Sequence, residues 1–211
     1  MTITYQDETG KVRELNQSWV NLSGLPTGSD KTHRLSTLEP RPDIEGLERA
    51  IQTVKKVVDG EIVKPVLFYS QEKGLGKTHL CYAACWMMMA KGKTASFYDV
   101  AGLLDELREG YRISENFRAD QLGGDSKTYT RIMAWLQTVH LLVLDDIGLN
   151  KPSEWAVEKL DQIVNFRYAN NKALILTANS LKFSDRIVDR CKEGAVVRLK
   201  GMSYRGKVNA G

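Results

Sequence analysis

No stretch of this 211-residue sequence approaches the roughly 20 consecutive apolar residues that a membrane-spanning helix needs. The longest apolar run, at about residues 81–90, has the length of a buried helix in a globular domain. The N-terminal stretch MTITYQDETGKVREL has no apolar core and carries acidic residues, so a secretory signal peptide is not expected. The sequence therefore predicts a cytoplasmic protein without a membrane segment.

Cysteine and histidine are scarce, with three residues of each, and neither type is clustered. A zinc site combines several thiolate, imidazole or carboxylate ligands at short spacings, and the sequence has no such pattern. We therefore predict no zinc site and interpret the cysteines as small apolar packing residues. The six residues are Cys81, Cys85, Cys191, His33, His79 and His140.

A strong excess of one charge is also lacking, since 30 Lys and Arg residues face 26 Asp and Glu residues, which gives a net charge of +4. This mildly basic balance is too small to identify a nucleic-acid partner on its own. Residues 182–207 hold eight Lys or Arg against three acids, so the end of the sequence is locally basic.

Strand patterns alternate with helical patterns along most of the chain, and no internal repeat is present. Short apolar runs predict five strands, at residues 66–69, 95–98, 140–144, 173–177 and 195–199. This alternation is typical of an α/β domain whose mostly parallel sheet is covered by helices on both faces. Residues 1–31 are polar and lack a sustained period, which predicts an arm or a poorly packed extension.

Capping signals and glycines predict several helix boundaries. Asp43 is expected to cap a helix that begins at residue 44 and ends at Gly60, and Ser153 is expected to cap a long helix. A further helix is expected over residues 101–112, followed by a polar loop or insertion over residues 113–127.

The segment SQEKGLGKTHL follows the first predicted strand and precedes a predicted helix. A phosphate-binding loop needs glycines, a lysine for the phosphate charge and a hydroxyl for magnesium at the start of a helix. In the phosphate-loop motif G-x-x-x-x-G-K-[ST], Lys77 and Thr78 occupy the last two positions. Gln71 replaces the first glycine of the motif and would need a negative φ angle there. The alternative is a chance Gly-Lys-Thr in a surface turn. The residues assigned to nucleotide binding are Lys73, Gly74, Leu75, Gly76, Lys77, Thr78 and His79.

Polar side chains also follow the third and fourth predicted strands. Asp145 and Asp146 end the third, and Asn179 follows the fourth. A phosphate-loop ATPase needs a strand-end carboxylate that reaches the metal, so we predict that Asp145 and Thr78 hold Mg²⁺. Asp146 is predicted to polarise the attacking water, in the place usually taken by Glu, and Asn179 to position that water. The alternatives are an acidic turn and an ordinary turn asparagine.

The order of these elements resembles the AAA+ ATPases. KPVLFYSQEKGLGKTHL, HLLVLDDIGLNKPSEWAVEKLDQIVNFRYANNKALILTANS and DRIVDRCKEGAVVRLKGMSYR are more closely similar to the bacterial DnaC-type helicase loaders and the related IstB-type transposition helper ATPases. The resemblance implies an AAA+ ATPase domain over residues 38–211, preceded by an N-terminal arm or extension over residues 1–37. It also implies a P-loop three-layer sandwich whose five-stranded parallel sheet has the order 5-1-4-3-2, in the numbering of the predicted strands.

The resemblance further implies arginines that reach the ATP of a neighbouring subunit. Arg186 and Arg190 lie one helical turn apart, and we expect Arg190 to act in trans, with Arg186 as the second choice. The alternative is a pair of Asp–Arg salt bridges. No helical lid domain is expected, and Arg205 is assigned to a contact with nucleotide or with a neighbour. The N-terminal domain that grips a helicase or transposase in such proteins is expected to be missing or reduced.

Relatives of this type carry an extra helix that lines a channel for single-stranded DNA, and the segment over residues 100–131 is long enough to contain one. It offers aromatic and basic side chains of the kind that stack on bases and contact phosphates. Residues 104–131 nevertheless hold five basic residues against six acids, so a solvated insertion is the alternative. The residues assigned to DNA are Arg108, Tyr111, Arg112 and Arg118.

Three functions are compatible with this sequence, each with ATP and Mg²⁺ as cofactors. The first is a helicase loader that binds single-stranded DNA, assembles into a ring or spiral and delivers a replicative helicase, with weak ATPase activity stimulated by DNA or a partner. It is favoured because the chain is short and lacks a long DNA-binding N-terminus. The second is a transposition helper that binds duplex DNA and recruits a transposase. The third is a nucleotide-gated scaffold with little turnover, of which Gln71 and Asp146 would be the signs.

Overall fold

The computed structural model describes residues 3–38, 41–119, 127–148 and 152–204, with side chains for all of these except 112–119 and 127–128. The strands are β1 (Ile3–Gln6), β2 (Val12–Leu15), β3 (Val66–Tyr69), β4 (Ala95–Asp99), β5 (Leu141–Asp145), β6 (Ala173–Ala178) and β7 (Ala195–Arg198). The helices are α1 (Gln17–Leu22), α2 (Ser29–Thr32), α3 (Leu47–Asp59), α4 (Lys77–Ala90), α5 (Val100–Ala119), α6 (Lys127–Thr138), α7 (Glu154–Ala169) and α8 (Asp185–Gly194).

The main sheet has five parallel strands in the order β4-β5-β6-β3-β7. In the numbering of the predicted strands this is 2-3-4-1-5, so the predicted order 5-1-4-3-2 is confirmed. β6 lies between β3 and β5, which places the ends of the strands that carry Asn179, the glycine-rich loop and Asp145 side by side. Because the carboxyl ends of parallel strands meet at one edge, all three features face the same crevice.

Side chains alternate between two apolar cores, one on each face of the sheet. Along β5, Leu141 and Val143 join the core that contains α3 and α4. Leu142 and Leu144 join the core formed with α5, α6, α7 and α8. Strands buried on both faces read as continuous apolar runs, which is the pattern from which they were predicted. The predicted three-layer sandwich is confirmed, and between β7 and Tyr204 the described chain forms no α-helix of a lid.

The predicted cap of α7 is confirmed, whereas the predicted start of α3 and the predicted end of α5 are wrong. Ser153 caps α7, and its hydroxyl accepts a hydrogen bond from the backbone N–H of Ala156. α3 begins at Leu47 rather than at residue 44, because Gly46 adopts a φ of 84° and approaches β7 so closely that a Cβ there would lie 2.0 Å from the carbonyl oxygen of Arg198. α5 continues to Ala119, so the prediction of a loop is wrong for residues 113–119.

The N-terminal segment packs against the main sheet, and the expectation of a poorly packed extension is wrong for its described residues. Tyr5 of the β1–β2 hairpin is fully buried, and its ring stacks on Trp86 of α4 with centroids 5.9 Å apart. The Trp86 indole donates a hydrogen bond to the Ser29 hydroxyl at 3.1 Å, and the Phe97 N–H donates to the Ser23 carbonyl at 2.7 Å. The division of the chain at residues 37 and 38 stays a prediction.

The described residues contain neither a membrane-spanning helix nor a cluster of metal ligands. Among these residues, no helix is long and apolar enough to cross a membrane. The same part of the chain has no group of three or more His, Cys, Asp or Glu side chains that could hold a metal ion.

Candidate functional site

A cleft of about 660 Å³ opens at the carboxyl ends of β3, β5 and β6, where the N-terminus of α4 begins. Its floor is the glycine-rich loop, and its far wall is formed by strand-end side chains. Residues before α3 and after β7 close the remaining side. The lining residues are His33, Thr37, Leu38, Lys73, Gly74, Leu75, Gly76, Lys77, Thr78, His79, Asp145, Asp146, Thr177, Asn179 and Tyr204.

The loop between β3 and α4 depends on two glycines in left-handed conformations. Gly74 has a φ of 76° and Gly76 a φ of 88°, values that L side chains rarely adopt. Gln71 is not among the described non-glycine residues with positive φ, so the condition for a glutamine at the first glycine position is met. The Gly74 carbonyl accepts a hydrogen bond from the Tyr204 N–H at 2.9 Å, which joins the chain after β7 to the loop.

The Lys77 ammonium group connects the loop to the end of β6. Its Nζ donates to the Ser70 hydroxyl at 2.6 Å and to the Asn179 side-chain oxygen at 3.1 Å. Burial lowers the pKa of Lys77, and the nearby carboxylates of Asp145 and Asp146 oppose that shift. A cation held in a crevice beside a helix N-terminus can bind phosphate oxygens there.

Thr78 and Asp145 provide neighbouring oxygen ligands in the same cleft. The Thr78 hydroxyl donates to Oδ2 of Asp145 at 2.9 Å. Burial raises the pKa of Asp145, whereas hydrogen bonds from Thr177 and Thr78 lower it. A hydroxyl and a carboxylate are hard oxygen donors of the type Mg²⁺ prefers, and Mg²⁺ is commonly held by few protein ligands together with substrate phosphates. The donor set therefore fits the predicted metal.

Asp146 adopts an unusual backbone conformation, with a φ of 57°. Its N–H donates to the Thr177 hydroxyl at 2.9 Å, and its Oδ1 accepts a hydrogen bond from the Asn179 amide at 2.8 Å. Asn179 thus contacts both Lys77 and Asp146. The two residues predicted to act on the attacking water lie together, beside the predicted phosphate-binding lysine.

Sequence reasoning missed Thr177 and the wall formed by residues before α3. The Thr177 hydroxyl donates to Oδ1 of Asp145 at 2.5 Å. Its position two residues before Asn179, on the same face of a strand, was the available signal. His33 lines the cleft from the segment that was predicted to be an N-terminal arm or extension, and the polar composition of that segment gave no sign of this position. His79 lines the cleft as well, with Nε2 2.7 Å from the Arg34 carbonyl oxygen.

The family of IstB-like ATP binding proteins matches residues 66–210, which is more than half of the chain. The chain belongs to this family. The glycine-rich loop, both strand-end acids and Asn179 all lie within the matched residues.

Two curated relatives of this IstB-like chain come from Escherichia coli K12. The replicative helicase loader DnaC is 27% identical over 98% of this chain and 86% of its own length. The uncharacterized protein YdaV is 27% identical over 78% of this chain and 65% of its own length.

Solved structures agree with the AAA+ fold. The DnaC helicase loader superposes with a TM-score of 0.60 at 23% identity, over 88% of this chain and 100% of that one. The replication initiator DnaA bound to AMPPCP and single-stranded DNA superposes with a TM-score of 0.66 at 22% identity, over 81% of this chain. The chain spans half the length of that DnaA structure. At these identities the likeness is evidence of the fold.

The two arginines assigned to a neighbour's ATP differ in their surroundings within this IstB-like domain. Arg190 is half-buried, with its guanidinium 5.6 Å from the ring centre of Tyr168, and its Nη1 donates to the Arg186 carbonyl at 2.9 Å. The Nε of Arg190 is buried without a hydrogen-bond partner among the described residues. Arg186 is exposed and borders a second surface depression beside α7. Arg205 lies outside the described residues.

The residues assigned to DNA are partly engaged within the protein. The Arg108 guanidinium donates to Asp105 at 3.0 Å and lies 5.1 Å from the ring centre of Trp155. Tyr111 is exposed, and its ring makes an edge contact with Tyr129. The side chains of Arg112 and Arg118 lie outside the described part of the structure, so this assignment stays a prediction.

Proposed function

We propose that this IstB-like protein binds ATP with Mg²⁺ in the cleft at β3, β5 and β6 and hydrolyses it. The observation that carries the proposal is the placement of five polar side chains from three separate segments around one crevice. They are Lys77, Thr78, Asp145, Asp146 and Asn179. A cation, a hydroxyl–carboxylate pair and an acid–amide pair form the set that phosphoryl transfer to water requires.

Each side chain has one role in the proposed reaction. Lys77 binds the phosphate charge and exchanges its present contacts with Ser70 and Asn179 for phosphate oxygens. Thr78 and Asp145 hold the metal, which when bound neutralises charge on the phosphates. Asp146 accepts a hydrogen bond from the attacking water, and Asn179 orients that water. Because an aspartate is one methylene shorter than the usual glutamate, turnover is slow without a partner that closes the site.

The second part of the proposal is that a neighbouring subunit supplies an arginine. Arg190 is the first candidate, because it lies in the DRIVDR segment of α8 that the family resemblance assigns to a neighbour's ATP. Arg186, exposed one turn earlier on α8, is the second. In a ring or spiral each such arginine would stabilise the charge that develops on the transferred phosphoryl group.

We infer that the biological setting is DNA, with single-stranded DNA and a replicative helicase as the favoured partners. The alignment with a replicative helicase loader over 98% of this chain supports that choice. The IstB-like family match favours one alternative, a transposition helper that binds duplex DNA and recruits a transposase. The other alternative is a scaffold that binds ATP with little turnover.

ATP hydrolysis should be measured on the full chain without DNA, with single-stranded DNA and with duplex DNA. The Lys77→Ala variant is compared with Lys55→Ala, an exposed lysine on α3 that lies outside the cleft. Stimulation by single strands that Lys77→Ala abolishes and Lys55→Ala retains supports the loader. Stimulation by duplex alone supports the transposition helper. ATP binding without turnover in any condition supports the scaffold and removes the hydrolytic roles of Asp146 and Asn179.

The arginine proposal has a separate test by complementation. Arg190→Ala and Lys77→Ala proteins are each expected to be inactive alone, because one lacks the donated arginine and the other the phosphate-binding lysine. Mixing them creates interfaces in which an intact loop meets an intact arginine, so partial activity should return. If Arg190→Ala alone is as active as the wild type, Arg190 is not the arginine supplied in trans, and Arg186→Ala is then tested in the same way.

A further inference from the structure

We propose that Thr177 is a positioning residue that fixes the orientation of both strand-end acids, Asp145 and Asp146. The inference rests on the proposed ATPase function, because it assigns a part to a side chain of that same cleft. Thr177 is 1% exposed, and it stands on β6, the strand between the phosphate loop and the two acids.

A single hydroxyl contacts both acids. The Thr177 Oγ1 donates to Oδ1 of Asp145 at 2.5 Å and accepts a hydrogen bond from the Asp146 N–H at 2.9 Å. One oxygen of the Asp145 carboxylate is therefore held by Thr177, and the other, Oδ2, faces Thr78. The hydroxyl keeps the carboxylate turned so that Oδ2 stays on the side where the metal is proposed to bind. Outer-shell hydrogen bonds of this kind orient metal ligands in general.

The same residue accounts for the left-handed backbone of Asp146. A φ of 57° is uncommon for a residue other than glycine and persists where surrounding contacts enforce it. Two successive N–H groups after β5 find their acceptors on Thr177. The Asp146 N–H reaches its hydroxyl, and the Ile147 N–H reaches its carbonyl oxygen at 2.8 Å. This turn directs the Asp146 side chain to Asn179, with which it shares a 2.8 Å hydrogen bond.

Replacing Thr177 by valine or by serine distinguishes the effect of its hydroxyl from the effect of its side-chain shape. Thr177→Val keeps the size and branching but leaves Oδ1 of Asp145 and the N–H of Asp146 without this partner. Thr177→Ser keeps the hydroxyl and removes a methyl group. Thr53→Val is the matched control, since Thr53 is another buried threonine. Its hydroxyl donates to the backbone carbonyl of Arg49 on α3, away from the cleft.

The test measures Mg²⁺ dependence of nucleotide binding as well as turnover. A fluorescent ATP analogue is titrated at a series of Mg²⁺ concentrations, and kcat and KM for ATP are determined separately. For Thr177→Val we expect the Mg²⁺ concentration of half-maximal effect to rise and kcat to fall, each by about 10-fold or more, as for the loss of other outer-shell partners. Binding of the analogue without Mg²⁺ should change little, and Thr177→Ser and Thr53→Val should resemble the wild type.

Two results would overturn the assignment. One is a Thr177→Val protein with wild-type Mg²⁺ dependence and kcat, and the other is a Thr177→Ser protein as impaired as Thr177→Val. If Thr177→Val does not fold, Thr177→Ala removes the same hydroxyl and is judged by the same two criteria. A wild-type protein that binds no nucleotide would contradict the proposed function itself, whereas wild-type binding with an unaffected Thr177→Val contradicts the role of Thr177 alone.

Discussion

Replacing Arg167 by methionine should strongly destabilise the fold without altering the chemistry of the cleft. Arg167 lies on α7 and is fully buried, at the end of the sheet opposite the cleft. Its two terminal nitrogens donate to four carbonyl oxygens at 2.6 to 3.2 Å, those of Leu136, Val139, His140 and Ala173. These carbonyls belong to the end of α6 and to the starts of β5 and β6, so one side chain joins three elements.

The size of the effect follows from those hydrogen bonds. A hydrogen bond to a charged group contributes about 1.5–3 kcal/mol, and the four bonds of one guanidinium are not additive. Arg167→Met leaves four carbonyl oxygens without this donor, and each buried polar group that is left unsatisfied costs about 1–3 kcal/mol, so a total of about 3–5 kcal/mol is expected. For a chain of this length each kcal/mol lowers Tm by about 2–4 °C, so Arg167→Met should lower Tm by roughly 10 °C.

The assay is thermal unfolding followed by circular dichroism, together with nucleotide binding well below the transition. Arg49→Met removes an exposed arginine on α3 and is the matched control, with an expected change of about 0.5 kcal/mol or less. The ATP affinity of folded Arg167→Met should equal that of the wild type. If the Tm of Arg167→Met lies within about 2 °C of that of the wild type, the hydrogen bonds of Arg167 do not stabilise the fold as argued, since that shift corresponds to 1 kcal/mol or less.

Three further predictions concern the cleft. Ser70→Ala removes the hydroxyl that donates to the Glu72 carbonyl at 2.6 Å within the loop between β3 and α4. Because this bond helps to hold the loop in its binding conformation, ATP affinity measured by fluorescence titration should fall about 3- to 10-fold, the loss of one hydrogen bond, and unchanged affinity would contradict it. Asp145→Asn should raise the Tm of the nucleotide-free protein at pH 7 and abolish the Mg²⁺ effect on binding. Burial raises the pKa of Asp145 in the folded state above 3.8, so its protonated carboxyl group contributes stability below pH 3.8 that is lost as pH rises through the folded pKa. The difference in Tm should therefore vanish towards pH 4, and a constant difference would exclude this cause. Because burial lowers the pKa of Lys77 below 10.5, nucleotide affinity should weaken with rising pH before an ordinary lysine titrates, and Lys77→Arg should lack that alkaline loss.

The sheet and the cluster of polar residues at its carboxyl edge could be predicted because their signals are local. Five apolar runs, a glycine-rich loop and acids at a strand end each specify structure through neighbouring residues. The strand order came from the family resemblance, and the structure confirms it. The order then explains why Lys77 and Asn179, 102 positions apart, come within 3.1 Å.

The features that sequence reasoning missed depend on contacts between distant segments. Tyr5 and Trp86 pack together although they are far apart in the sequence, and nothing in the polar composition around Tyr5 indicates that it is buried. An arginine is rarely fully buried, so the place of Arg167 under two strands has no sequence signal. The role of Thr177 depends on the left-handed backbone conformation of Asp146, which could not be predicted from the sequence.

The central claim, that the cleft binds ATP with Mg²⁺ through Lys77, is tested most directly by calorimetric titration of the full chain with ATP. The account predicts a single site per chain whose affinity depends on Mg²⁺, is reduced at least about 10-fold in Lys77→Ala and is retained in Lys55→Ala, since one lost charged contact is worth about 1.5–3 kcal/mol. Equal ATP affinity in the wild type and Lys77→Ala, with or without Mg²⁺, would contradict it.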